Sequence, residues 1–274
     1  MKTKIIITID HLGTGGAQTQ VLEYLKFADR SRFDITIVHL DSQYDFLGNA
    51  IKNLGYEVIG ISHRGFFNLN TLSKLIRLFK TIKPDIVHTY LFTADCYGRL
   101  AAKLAGVNVI ICAVRNMDTW MKPHHILVDK VLAGITDKIT INAEIIRSYL
   151  VQKENIDPQK IELIYNGMDF ARFQNLPPLE ITKAQLGIPS DALVIGMIGR
   201  FSEQKDYETF FKAAQKVLEA VPNTYYVAVG DGPRRTMLEK QVQTLGIERN
   251  VIFTGLRQDI PDLISVFDVG CDAF

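Results

Sequence analysis

Short apolar runs closed by glycine, proline or a polar residue alternate with stretches of helical period along this sequence. That alternation constrains the fold more than any other feature. Residues 4–9 (KIIITI), 33–40 (FDITIVHL), 56–61 (YEVIGI), 85–88 (DIVH), 109–114 (VIICAV) and 138–142 (KITIN) read as strands. Between them, Val21, Leu22, Leu25 and Ala28 share one helical face, and residues 49–54 fit a short helix. Leu72, Leu75, Ile76 and Phe79 mark the inward face of a helix over 71–81, stopped by Pro84. A helix over 94–105 ends at Gly106, a C-cap position. Strands alternating with helices form a parallel sheet covered on both faces. After a proline-bearing stretch the pattern restarts: strand 193–198, helix 207–220, strand 225–229, helix 235–245, strand 251–253.

The fold class is therefore α/β, with two Rossmann-like doubly wound parallel-sheet domains, which 274 residues can supply. The expected boundaries are a first domain over 1–173, a linker over 174–192 with QNLPPLE at its start, and a second domain over 193–274. Residues 266–274 (VFDVGCDAF) read as the opening of a further strand, so the second domain is expected to be incomplete and the chain to be part of a longer one. Hydrophobic residues make up 47% and charged residues 22%, the balance of a soluble globular protein. A net charge of +1 gives no global nucleic-acid signature. Cys96, Cys112 and Cys271 have no CxxC spacing, which argues against a zinc site or a disulfide framework and fits a reducing cytoplasm. The N-terminal apolar run is too short for a secretory signal, and no stretch approaches the roughly 18 apolar residues of a membrane span.

Chemistry concentrates at the turns that follow strands. Residues 194–210 (VIGMIGRFSEQKDYETF) read as strand, glycine turn and helix, with Arg200 and Lys205 between Gly199 and Tyr207. Such a turn, at the C-terminal end of a parallel strand, is where α/β proteins hold anions. Arginine offers a planar fork and lysine a mobile point charge, so the pair suits a diphosphate; solvated surface charges are the plain alternative. Gly230, Asp231, Gly232 and Pro233 form a second tight turn facing the same edge. In the first domain Gly13, Gly15 and Gly16 follow strand one, and Asp41 ends strand two where a ribose-binding acid would sit. The dinucleotide fingerprint fails at its third position, which is Gln18 where a small residue is needed for close helix packing. Asn166–Gly167 is a hairpin-type dipeptide or, at this place before the linker, a hinge or cleft wall.

Six segments in order carry a resemblance: GTGGAQ, PDIVHTYLFTAD, IYNGMDFARF, IGRFSEQKDYETF, VGDGPRRTMLE and VIFTGLRQDIPDLISVFDV. Together they resemble the family 4 glycosyltransferases, retaining and metal-independent enzymes of the GT-B fold. The resemblance implies two domains facing a cleft and transfer of a sugar from a nucleotide-sugar donor to a saccharide or lipid-linked acceptor. By this resemblance Arg200 and Lys205 neutralise the donor diphosphate, the catalytic role. Gly15, Gly16, Gly199, Gly230, Asp231, Gly232 and Arg257 line the donor. It implies no metal and no cofactor, no nucleic acid, and a cytoplasmic place, with peripheral contact at the inner membrane face. Two departures stand out. The family's Glu-x7-Glu pair would lie beyond the last residue. At the end of strand five, where relatives place a sugar-contacting His, the sequence is AVRNMDTW with Arg115. His88, Tyr90 and Arg115 are assigned to the acceptor or sugar side, and Arg115 suits an anionic acceptor or an acidic partner.

His124 and His125 are expected in a polar loop after Trp120, without metal spacing. No Asp-x-Asp stands in a donor-loop context, which argues against the metal-dependent GT-A class. Lys74, Arg77, Lys80 and Lys83 cluster on a helix preceded by residues 63–67 (HRGFF), which suits either an anionic membrane surface or an ordinary solvated face. Two other functions compete: a nucleotide-sugar epimerase of similar form, which would release nucleotide without an acceptor, and a non-catalytic nucleotide- or glycan-binding fragment.

Overall fold

A computed structural model describes residues 2–13, 15–41, 46–63, 68–117 and 121–272. The chain divides into two compact units, Met1–Asp169 and Phe170–Phe274.

The first unit holds strands β1 (Thr3–Ile9), β2 (Phe33–His39), β3 (Glu57–Gly60), β4 (Ile86–Tyr90), β5 (Val109–Val114), β6 (Lys138–Ile141) and β7 (Ile161–Leu163). They form one parallel sheet in the order β3-β2-β1-β4-β5-β6-β7. Its helices are α1 (Gly16–Phe27), α2 (Phe46–Asn53), α3 (Leu69–Ile82), α4 (Phe92–Ala105), α5 (Pro123–Ala133) and α6 (Glu144–Lys153). Strand β1 shows why its sequence is apolar without a break. Ile5, Ile7 and Ile9 pack on one face with Val21 and Leu25 of α1 and Leu47 and Ile51 of α2. Ile6 faces the other way, into Leu72, Leu75 and Phe79 of α3 and Ala94 and Ala101 of α4. A strand buried on both faces cannot alternate polar and apolar residues. The strand order reverses between β1 and β4, the place where open α/β sheets leave a crevice at their carboxyl ends. Gly106 caps α4 at φ 79°, as its sequence predicts, and Asn68 caps α3 by accepting from the Asn70 and Thr71 amides.

The second unit contains α7 (Leu179–Gln185), β8 (Leu193–Ile198), α8 (Tyr207–Ala220), β9 (Thr224–Val229), α9 (Arg235–Thr244), β10 (Val251–Gly255), α10 (Ile260–Ser265) and β11 (Val269–Cys271). Its parallel sheet runs β10-β9-β8-β11, so the order reverses between β8 and β11. One face packs Phe210, Phe211 and Ala214 of α8 on Met197, Tyr226 and Ala228. The other packs Leu263 and Val266 on Val194, Val227 and Val229.

Three local expectations are corrected. His124 and His125 lie in the first turn of α5, not in a loop, because Pro123 at the first helical position favours a helix start and Lys122 N donates to His125 Nδ1 at 3.0 Å. Asn166–Gly167 makes no hairpin, since the next strand after β7 is β8, which belongs to the other sheet. The stretch 174–192 carries helix α7 and belongs to the second compact unit. Of the basic helix and its preceding aromatics, residues 64–67 lie outside the described residues, as does Trp120.

Candidate functional site

In the second unit, three turns at the carboxyl edge of the sheet are laid backbone on backbone. Gly199 N donates to Val229 O at 2.9 Å, Phe201 N to Asp231 O at 3.0 Å, and Gly230 N to Gly255 O at 3.0 Å. Gly230 stands at φ 137°, and a Cβ there would overlap the Gly199 carbonyl oxygen; a Cβ on Gly232 would overlap the Phe201 backbone. Glycine at both places is therefore a steric requirement. Beneath the turn, the Tyr207 phenol lies within 3.3 Å of the Met197, Gly199 and Val229 carbonyl oxygens, and burial raises its pKa well above the usual value.

The two cations sit above this platform at the β8/β11 reversal. The Lys205 stem lies over Gly199, and its Nζ donates to Asp272 Oδ1 at 2.8 Å, with both side chains part-exposed. Ion pairs of this kind are worth about 0.2–1 kcal/mol, so Lys205 can exchange Asp272 for another anion. Arg200 is exposed; among the described residues the ion pairs of this edge use Lys205, Arg234, Arg235 and Arg257 but not Arg200. Asp231 is engaged within its own turn, accepting from Gly232 N at 2.7 Å and pairing with Arg235 at 3.5 Å. Arg257 is held by both oxygens of Asp259.

In the first unit, the glycine turn is built around Gln18, the residue that breaks the dinucleotide fingerprint. Gln18 is 4% exposed, its Nε2 lies 3.2 Å from His11 Nε2, and a Cβ on Gly15 would overlap its Oε1. Gly16 differs: a Cβ there would have no neighbour within 4 Å. The N-terminus of α4, across the β1/β4 reversal, is filled from within. Asp10 accepts from Thr93 N at 3.4 Å and from Ala94 N, and Leu91 makes the turn at φ 67°. Burial raises the Asp10 pKa although both amides lower it. Sequence reasoning missed Asp10 because its partners lie more than 80 positions away.

Next to this reversal, adjacent strands bring His88, Tyr90, Arg115 and Asn142 together. The ladder places Tyr90 opposite Ala113, and Ala113 opposite Thr140, so these share a face. Arg115 and Asn142 stand two positions further along that face. The His88 and Tyr90 rings are 4.6 Å apart, and the Arg115 guanidinium is 5.4 Å from the Tyr90 ring centre. Burial, with a smaller effect of Arg115, pushes the His88 imidazole down to about 3, so it is neutral near pH 7. Burial raises Tyr90 against the pull of Arg115. His88 Nε2, Arg115 Nε and Asn142 Oδ1 are all buried without a hydrogen-bond partner. Asn142 is a residue that sequence reasoning missed; its signal is the ladder register that carries it beside Arg115.

Behind Arg115 lies a cavity of about 130 Å³, whose lining includes Leu91, Asp95, Asp129 and Tyr149. Of its acids, Asp95 and Asp129 are already matched, and the buried Glu154 lines it as well. Arg99, 0% exposed, donates to Asp95 at 2.5 Å and to Asp129, and Thr89 donates to Asp95. Burial raises the Asp95 pKa while Arg99 lowers it. Burial alone would lower the Arg99 pKa, but the attraction of Asp95, Cys112 and Asp129 outweighs it and the net shift is upward, so the guanidinium stays charged. Among the described residues no group of three or more His, Cys, Asp or Glu side chains is arranged to hold a metal ion.

Two Rossmann-like units, each with its chemistry at the reversal point of a parallel sheet, define the GT-B class. The family model "Glycosyltransferase Family 4" matches residues 14–172, and "Glycosyl transferases group 1" matches residues 180–274. The chain belongs to glycosyltransferase family 4. It is 27% identical over 268 residues to the UDP-Gal:alpha-D-GlcNAc-diphosphoundecaprenol alpha-1,3-galactosyltransferase of Escherichia coli, covering 93% of this chain and 69% of that one. It is 26% identical over 285 residues to the putative glycosyltransferase EpsF of Bacillus subtilis (strain 168), covering 97% and 72%. The crystal structure of Anabaena Alr3699/HepE in complex with UDP-glucose superposes with a TM-score of 0.84 at 20% identity, covering 97% of this chain and 72% of that one.

Proposed function

We propose that this glycosyltransferase moves a sugar from a nucleotide-diphosphate donor to a saccharide on a lipid-linked acceptor, with retention of configuration, in cell-surface polysaccharide or lipopolysaccharide synthesis. The observation that carries this reading is the placing of Arg200 and Lys205 on a glycine platform at the β8/β11 reversal. As the bond between sugar and phosphate breaks, negative charge gathers on the departing diphosphate while the sugar becomes oxocarbenium-like. Arg200 supplies a fork without a competing carboxylate among the described residues, and Lys205 turns from Asp272 to the phosphate. Charge stabilisation by these two side chains would let the reaction run without a metal or cofactor. The departing phosphate itself is then positioned to take the acceptor's proton.

A uridine diphosphate sugar is the first donor to test, because the E. coli relative's name and the Anabaena structure's title both carry UDP. The diphosphoundecaprenol in the same relative's name supports a lipid-diphosphate acceptor. No helix among the described residues is long and apolar enough to cross a membrane. We place the protein in the cytoplasm, at the inner membrane face; the exposed Lys74, Arg77 and Lys80 of α3, with Lys83 after it, support contact with an anionic surface.

The test is calorimetric titration with UDP, followed by turnover with a UDP-sugar. Arg200→Ala should weaken UDP binding and lower turnover by about 100- to 1,000-fold, the size of effect that one lost charge stabiliser gives. Unchanged UDP affinity in Arg200→Ala would remove the diphosphate assignment. Release of nucleotide without any acceptor would favour the epimerase reading.

A further inference from the structure

We infer that the His88–Tyr90–Arg115–Asn142 cluster of the first unit is a second oxyanion site, which takes a phosphate group carried by the acceptor. The inference rests on the transferase reading above and names the chemistry of its acceptor side.

Arg115 carries a charge that no carboxylate among the described residues meets. Arg115 is half-buried, its Nε is fully buried, and that nitrogen has no hydrogen-bond partner. No carboxylate among the described residues lies within ion-pair distance of it. Of the acids that line the cavity with it, Asp95 and Asp129 are held by Arg99, and Glu154 makes no ion pair with Arg115. Taking a guanidinium nitrogen out of water without a partner is unfavourable by a few kcal/mol, so such a group is normally matched by an anion. Among the described residues no carboxylate forms that pair.

The neighbours are suited to the anion that is missing. His88 is neutral near pH 7, so it adds no second positive charge beside Arg115, and its buried Nε2 has no hydrogen-bond partner. The Tyr90 phenol, already hydrogen-bonded to the Arg115 side chain, is kept protonated by burial, so its O–H remains a donor. One fork-shaped cation, a phenol and an imidazole form a donor set for a tetrahedral oxyanion. Asn142 Oδ1, on the same face one strand further, is an acceptor and suits a sugar hydroxyl next to the phosphate. Tyr90, Arg115 and Asn142 stand at or just past the carboxyl ends of β4, β5 and β6, with His88 two residues inside β4, beside the β1/β4 reversal where such sheets bind ligands.

The cluster belongs to the first compact unit and the Arg200–Lys205 turn to the second, so each can be altered without touching the other's fold. That separation gives the experiment. Inorganic pyrophosphate is titrated calorimetrically into the full chain, into Arg115→Gln, and into Arg200→Ala/Lys205→Ala, with UDP titrated into each in parallel. The expected result is two pyrophosphate sites on the unaltered chain. Arg115→Gln should lose one of them, or bind it about 10- to 100-fold more weakly, with UDP binding unchanged. Arg115→Lys should retain part of the affinity, since it keeps the charge and loses the fork. The double variant should keep the Arg115 site and lose UDP. Inorganic phosphate in the same titrations separates a monoester from a diphosphate, the latter binding more tightly if both phosphates are held. Equal pyrophosphate stoichiometry and affinity in Arg115→Gln, with circular dichroism unchanged, would overturn the inference. UDP binding that survives in the double variant would instead overturn the donor assignment and leave the Arg115 result to stand alone.

Discussion

Arg99 is a fully buried cation that ties several elements of the first unit together. It joins α4, α5 and, through Asp95 and Thr89, strand β4. Replacing it with Met leaves Asp95 and Asp129 buried without a cation, and breaking a buried pair in this way costs about 3–5 kcal/mol. Urea unfolding of Arg99→Met should show that loss. Burial already raises the Asp95 pKa and Arg99 lowers it, so without the cation the folded-state pKa of Asp95 rises further and the variant gains stability as pH falls and Asp95 protonates. The destabilisation should therefore be larger at pH 8 than at pH 5. His88 has the opposite sign. Its residue is half-buried but its Nε2 has no solvent contact, and its folded pKa is about 3 against 6.5 unfolded. Between those values the unfolded chain binds a proton that the folded chain does not. The stability is fully present above pH 6.5 and is lost as pH falls toward 3, with a slope of up to about 1.4 kcal/mol per pH unit. His88→Gln should remove that slope. Subtracting the variant's stability from the parent's at each pH isolates it; a flat difference would mean that His88 titrates normally.

At the scale of elements, legibility follows burial. Strands β5 and β8 and helix α8 run over the residues that their sequences indicate, because each buries a continuous apolar run or one clean helical stripe. Helix α5 gives no such signal. Leu127, Val128 and Val131 point outward, so its apolar residues surround it and mark no face. The glycine turns were readable as turns, but why each glycine is needed depends on what crosses it. Gly230 faces the Gly199 carbonyl, 31 positions earlier, and stands at positive φ, so Gly230→Ala should destabilise the second unit by about 1–3 kcal/mol. Gly16 opens α1 with empty space around it, so Gly16→Ala should leave stability unchanged or raise it by up to about 1 kcal/mol. If Gly16→Ala nonetheless lowers turnover while thermal unfolding is unchanged, the space at Gly16 is there for a ligand. If turnover is also unchanged, the turn has no role in binding. The acceptor-side cluster was legible only in part. Tyr90 and Arg115 sit at or just past strand ends; His88, expected to end its strand, lies mid-strand because β4 runs on to Tyr90, and Asn142 joins them through a register that no local pattern encodes.

At the scale of the whole molecule, the chain holds separate cores, those around β1 and β6 in the first unit and those around β8 and β9 in the second. Two compact units with their own cores need not unfold together, so one melting temperature is a poor measure of what a ligand does. Hydrogen exchange read segment by segment is the better measure. A ligand present at 100 times its Kd stabilises the unit that binds it by about 2.7 kcal/mol. With UDP held by Arg200 and Lys205, amides of β8 and β9 that exchange only through unfolding of the second unit should slow by about 100-fold. Amides of β2 and β3, buried in the first unit around Ile37 and Val58, should keep their rates. Arg200→Ala should abolish the slowing. Equal slowing in β2 and β9 would mean that the two units open as one cooperative body, and the donor's energy would then have to be assigned to the chain as a whole and not to the turn after β8.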